Sequence, residues 1–120
     1  MIDRQAWAEL EERTVIPGFH GKFIHSGQMS FVLWRLEAGA VLPEHAHPHE
    51  QVVHVHSGEL EMTVDGETTS CGPGTVLVIP SGARHEGRVL SDASVMDVFS
   101  PVREDYRDGG APLLSRALEA

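Results

Sequence analysis

The sequence predicts an all-β domain, a sandwich or a barrel. Three observations carry this reading. From Phe19 to Pro101, short runs of Val, Ile, Leu, Phe and Thr alternate with turn residues. These turns, Ser26-Gly27, Gly39, Ser57-Gly58, Asp65-Gly66, Gly72-Pro73-Gly74, Ser81-Gly82 and Ser91-Asp92, recur at roughly eight-to-twelve-residue spacing, the punctuation of many short strands. Several runs alternate polar and apolar residues, and no long helical pattern interrupts them.

With 120 residues the chain is long enough for one hydrophobic core and too short for two, so it reads as a single domain. Its expected parts are an amino-terminal helix or arm over 1–16, a barrel over 17–106 and a tail over 107–120. Asp3 to Arg13 reads as a short helix capped by Asp3, with Ala6, Trp7 and Leu10 on one side. In Glu59 to Asp65 the apolar residues Leu60, Met62 and Val64 alternate with polar ones, and Asp65-Gly66 makes a hairpin turn. Gly74 to Pro80 is apolar without alternation, as for a strand covered on both sides. Ser94 to Ser100 sets Val95, Asp97 and Phe99 on one face, so an acid occupies an interior position. Val102 to Gly110 is charged and turn-like, and Pro112 to Leu118 reads as a terminal helix or arm.

Charge and composition limit the partners. Eighteen acidic residues against nine basic ones give a net charge of −9, and no Lys/Arg cluster counters it, which argues against nucleic acid. No run approaches the roughly twenty apolar residues of a membrane span, and the start lacks the layout of a secretory signal. The expected location is the cytoplasm, with no membrane partner. The single cysteine, Cys71, cannot form an internal disulfide and reads as a small structural residue.

Five of the eight histidines lie between Gly39 and Gly58. On an extended strand His45, His47 and Gln51 share a face, so two imidazoles and an amide oxygen can converge on a divalent ion. A further donor comes from His85, which follows the Pro80-Ser81-Gly82 turn and is aimed back into the barrel. His49 shares the odd parity, but Pro48 interrupts the alternation, so it either supports the ligands or joins them. His54 and His56 have the opposite parity and belong on the barrel exterior or at a dimer seam.

These segments resemble the two motifs of the cupin superfamily, Gly-x5-His-x-His-x3-Glu-x6-Gly and Gly-x5-Pro-x-Gly-x2-His-x3-Asn. Gly39, His45, His47 and Gly58 match the first in register, and Gly74, Pro80, Gly82 and His85 match the second. Gln51 stands where the first motif has Glu, and Val89 where the second has Asn. The resemblance implies a double-stranded β-helix, or jelly-roll barrel, with one divalent metal ion inside. Zn, Ni, Fe, Co and Mn all suit three imidazoles and an amide. Four neutral donors leave the ion its full charge, which suits an anionic ligand.

Pro17-Gly18-Phe19-His20-Gly21-Lys22-Phe23, the His45 to Gln51 segment and Asp97-Val98-Phe99-Ser100-Pro101-Val102-Arg103-Glu104-Asp105 are similar to the pectin-degradation cupins of the KdgF type. His20 stands where a basic residue is common, and Val102 where proline is common. That resemblance implies conversion of 4,5-unsaturated monouronates to linear keto sugars. Carried over by position, His45, His47, Gln51 and His85 hold the metal. Asp97 moves a proton, Arg103 orients the substrate carboxylate from the rim, and Phe99 lines the pocket. The plain alternative for Asp97 is a structural salt bridge with Arg103 or Arg84. Since ligating histidines must be neutral, activity is expected to fall below about pH 6.5. Other readings of the same ligands are an iron dioxygenase and a non-catalytic sugar-acid binder. Exposed sheet edges predict a homodimer through the amino-terminal segment or the His54/His56 face.

Overall fold

The alternating runs pair into two antiparallel sheets that share one core. The computed structural model describes residues 1–109. Among these, the strands are β1 (Arg13–Ile16), β2 (Phe19–His25), β3 (Ser30–Leu36), β4 (Val41–His45), β5 (Glu50–Ser57), β6 (Leu60–Val64), β7 (Glu67–Cys71), β8 (Val76–Ile79), β9 (His85–Val89) and β10 (Ala93–Ser100). One sheet has the order β1-β2-β3-β10-β5-β8, the other β4-β9-β6-β7. This is the jelly-roll barrel that the motifs imply.

The period-two pattern decides what lies inside. Val32, Trp34 and Leu36 of β3, Val53 and Val55 of β5, Leu60 and Met62 of β6, and Val95 and Phe99 of β10 are all buried in one cluster. Each such side chain removes apolar area worth about 1.5–3 kcal/mol when fully buried. Cys71 is buried in the same cluster, consistent with a packing role. Asp65 (φ 47°) and Gly66 (φ 83°) form the turn between β6 and β7, both in the left-handed region that two-residue hairpins need. Gly58 ends β5 at φ 83°, and a Cβ there would lie 2.6 Å from the Ala93 Cα, so the position admits only glycine without strain.

Three expectations change. The amino-terminal helix shrinks to one 3-10 turn at Trp7–Glu9, whose N-cap is Ala6 with no side-chain cap bond, so Asp3 caps nothing. The following residues instead form β1, which pairs with β2 inside the segment assigned to an arm. Second, β8 is not covered on both sides. It is an edge strand with Val76 and Val78 55% and 54% exposed, while Ile79 is buried. Third, the segment after β10 contains a one-turn helix, α1 (Glu104–Arg107), which buries Tyr106. The terminal helix or arm expected over Pro112 to Leu118 lies outside the described residues. Among the described residues, no helix is long and apolar enough to cross a membrane.

Candidate metal centre and interior cavity

His45 closes β4 and His85 opens β9, and the two face each other across that strand pair. His47 hangs in the turn before β5, and Gln51 is the second residue of that strand. His47, His85 and Gln51 are buried and His45 is half-buried. One nitrogen from each of His45, His47 and His85 lies within 4.8 Å of the others.

Backbone carbonyls fix which nitrogen points inward. His45 Nδ1 donates to the Pro43 carbonyl at 2.8 Å, His47 Nδ1 to the His49 carbonyl at 3.0 Å, and His85 Nδ1 to the Ala83 carbonyl at 2.9 Å. A carbonyl only accepts, so each Nδ1 carries the proton and each Nε2 keeps its lone pair. His85 Nε2 is buried without a hydrogen-bond partner. His47 Nε2 lies 3.1 Å from Gln51 Oε1, one lone pair facing another. Such an array is unfavourable empty of positive charge and fits a cation, with Gln51 as the donor beside the three imidazoles.

Burial also keeps these rings neutral. Desolvation, with the charge of neighbouring His85, lowers His45 to about 4, and desolvation with Arg103 lowers His47 to about 3. His85 is lowered by the same burial. Imidazole protonation therefore sets in below the pH 6.5 expected from the sequence.

His49 sits outside the converging group. Its carbonyl braces His47, while its own ring packs edge-on against His47 and Phe99 at 5.4 and 6.4 Å, and its Nδ1 is buried without a hydrogen bond of ordinary geometry.

Asp97 lies on β10 behind Gln51. Trp34 Nε1 donates to Asp97 Oδ2 at 2.8 Å, whereas Oδ1 is buried without a hydrogen bond of ordinary geometry. Burial pushes the carboxyl up to about 6 against the opposing pull of Trp34, Gln51 and Arg103. Neither proposed salt bridge forms: Arg84 pairs with Glu44 and Arg103 with Asp105.

Arg103 is not a rim residue. It is 1% exposed, its Nε and Nη2 donate to the two Asp105 carboxylate oxygens at 2.9 and 2.7 Å, and its guanidinium lies over Phe99 and Tyr106 at 4.7 and 4.1 Å. Its backbone N–H donates to the buried Ser30 hydroxyl at 2.7 Å. Burial opposes the guanidinium charge, and Asp105, Tyr106 and Asp97 outweigh it.

Sequence reading missed Trp34, Asp105 and Ser30. Trp34 carried a usable signal, because a buried indole N–H needs an acceptor and β3 pairs with β10 beside Asp97.

The cavity joining these groups measures about 50 Å³. His45, Gln51, His85, Asp97 and Arg103 form its polar part, and Leu42, Leu60, Met62, Val89 and Val95 are among its apolar walls. The arrangement can hold a cation and hold a proton on Asp97, with Phe99 in the cavity wall.

A family model described as the cupin domain matches residues 32–99. The pectin degradation protein KdgF of Dickeya dadantii is 29% identical over 107 residues, covering 87% of this chain and 93% of that protein. A Streptomyces cyaneus protein named polyketide synthase CurC is 37% identical over 102 residues, covering 79% of this chain and 65% of its own length. The solved structure of KdgF from a Halomonas species superposes with a TM-score of 0.78 at 32% identity, covering 82% of this chain and 93% of that one.

Proposed function

The chain belongs to the cupin family, and we propose that it is a metal-dependent enzyme that opens and tautomerises 4,5-unsaturated monouronates. The observation that carries this is the placement of a buried carboxyl, Asp97, with a free oxygen directly behind a cluster of neutral metal donors. The similarity to the pectin degradation protein KdgF suggests the substrate class.

His45, His47, Gln51 and His85 would hold a divalent ion, which would supply Lewis acidity toward an anionic substrate. Asp97 Oδ1 takes the proton of the anomeric hydroxyl as the ring C1–O5 bond breaks, the electron pair of that bond passing to O5 to give an aldehyde and an enolate. The same oxygen returns the proton to C4 as the enolate becomes a ketone, so the product is an isomer of the substrate. Trp34 holds Oδ2 and so keeps Oδ1 turned to the cavity. Arg103, rigidly braced by Asp105, presents positive charge from inside the cavity rather than from the rim. Phe99 supplies an apolar wall.

The test follows the conjugated-alkene ultraviolet absorbance of unsaturated uronates with metal-loaded and chelator-treated protein. Metal-dependent loss of absorbance is expected, and its absence overturns the reading. A second reading has one observation in its favour: the walls at Leu42, Leu60, Met62, Val89 and Val95 suit a carbon-rich enolic acid, as the relative named for polyketide synthesis suggests. Turnover of such acids in place of uronates selects it. Oxygen uptake with either substrate selects an iron dioxygenase, and binding without turnover a sugar-acid binder. We place the protein in the cytoplasm as a homodimer through the amino-terminal segment, in which Met1 and Ile2 are exposed and β1 is an edge strand. A monomer mass in solution refutes the dimer.

A further inference from the structure

We infer that the outer face of the six-stranded sheet carries a second transition-metal site, formed by His54 and His56 with Met96 beside them, and that this site takes Cu²⁺. Strand β5 sends Val53 and Val55 inward, 3% and 0% exposed, and His54 and His56 outward into solvent. The two histidines are thus on the opposite face of the strand from the interior cluster.

Three local features bring donors together. The β5/β10 ladder shifts register between Ser94 and Val95, passing from Ser57 to Val55, so His56 is the bulged residue. Bulges re-aim a side chain from its ladder direction. The His54 and His56 rings are 4.8 Å apart, centre to centre. The interior rings, which offer one nitrogen each within 4.8 Å of the others, span 4.2, 4.9 and 5.6 Å centre to centre, so the exterior pair is spaced as those candidate ligands are. Directly opposite His54 stands Met96, whose thioether belongs to the same face.

Donor chemistry selects the ion. Two imidazoles with water in the remaining positions suit a tetragonal ion, and copper stands highest in the divalent affinity order. The net charge of −9 favours cation binding at an exposed site. The site needs neither the interior metal nor the proposed reaction.

Metal-free, full-length protein is titrated with Cu²⁺, and bound copper is counted by equilibrium dialysis and electron paramagnetic resonance. The unsubstituted chain is expected to bind two ions, the H54A/H56A variant one, and the H45A/H85A variant the other one. In the unsubstituted protein, Cu²⁺ added beyond the first equivalent is expected to broaden the amide resonances of His54, His56 and Met96. This readout decides the matter if a variant fails to fold. Equal copper binding by H54A/H56A and the unsubstituted chain, or broadening confined to residues around the interior cluster, overturns the site.

Discussion

Replacing Asp97 by asparagine separates what this carboxyl does for the reaction from what it costs the fold. The substitution keeps the side-chain volume and an acceptor for Trp34 Nε1, and removes the proton that titrates. In the folded protein the group is raised from its ordinary 3.8 to about 6. The unfolded chain therefore ionises first as pH rises, so stability contributed by the protonated carboxyl is present below about 3.8 and is lost as pH climbs through about 6. At about 1.4 kcal/mol for each tenfold in proton affinity, the loss approaches about 3 kcal/mol at neutral pH. Metal-free Asp97→Asn lacks that loss. Denaturant unfolding of both chelator-treated proteins between pH 4 and 8 is expected to show a gap in favour of the variant that opens by pH 6 and then stays level. Activity of the metal-loaded enzymes moves the other way, with kcat falling about 10²–10⁴-fold, the range for losing a positioned acid–base group. A stability difference that is flat across the pH range refutes the buried-carboxyl argument. A variant that retains its metal and full turnover refutes the proton-transfer role.

Other outcomes follow from the same geometry. His85→Ala removes a fully buried donor and is expected to weaken divalent metal binding beyond the about 10–100-fold typical of losing a supporting hydrogen-bond partner, as read by competition with a chromogenic chelator. Asp105→Asn leaves the Arg103 guanidinium buried without its ion-pair partner. Breaking such a pair costs about 3–5 kcal/mol, which urea unfolding measures as a lower midpoint with unchanged slope. Turnover by the metal-loaded enzyme is expected to fall on the acid side as Asp97 protonates, at a pH below the value of about 6 that burial gives it in the metal-free protein, because a nearby divalent cation favours the carboxylate. An acid limb that persists unchanged in the residual activity of Asp97→Asn counters this.

Much of the barrel and its site is legible in the sequence because both depend on strand parity. Val95, Asp97 and Phe99 fall inside β10 as their alternation requires, and His54 and His56 fall outside β5 for the same reason. The errors have a different origin. Ala6, Trp7 and Leu10 have helical spacing, but the segment is too short to hold a helix without a packing face, and β2 offers its tail a ladder instead. Val76 and Val78 form a continuous apolar run, yet such a run does not reveal whether anything covers its outer side. Arg103 was misplaced because its burial depends on the α1 turn, which folds Asp105 back onto it, and on Ser30 from 73 residues away. Charged composition alone points such a segment toward solvent.

The bracing of each histidine by a carbonyl two residues away divides the barrel into parts that change independently. Pro43, His49 and Ala83 belong to the same loops and strand ends as the rings they hold. The three imidazoles are therefore aimed by their own stretches of main chain. Exchanging Leu60, Met62 or Val95 alters the shape offered to a ligand while those rings stay held as they are. One fixed inorganic centre can in this way sit behind differently shaped chambers, with selectivity revised by side-chain substitution alone.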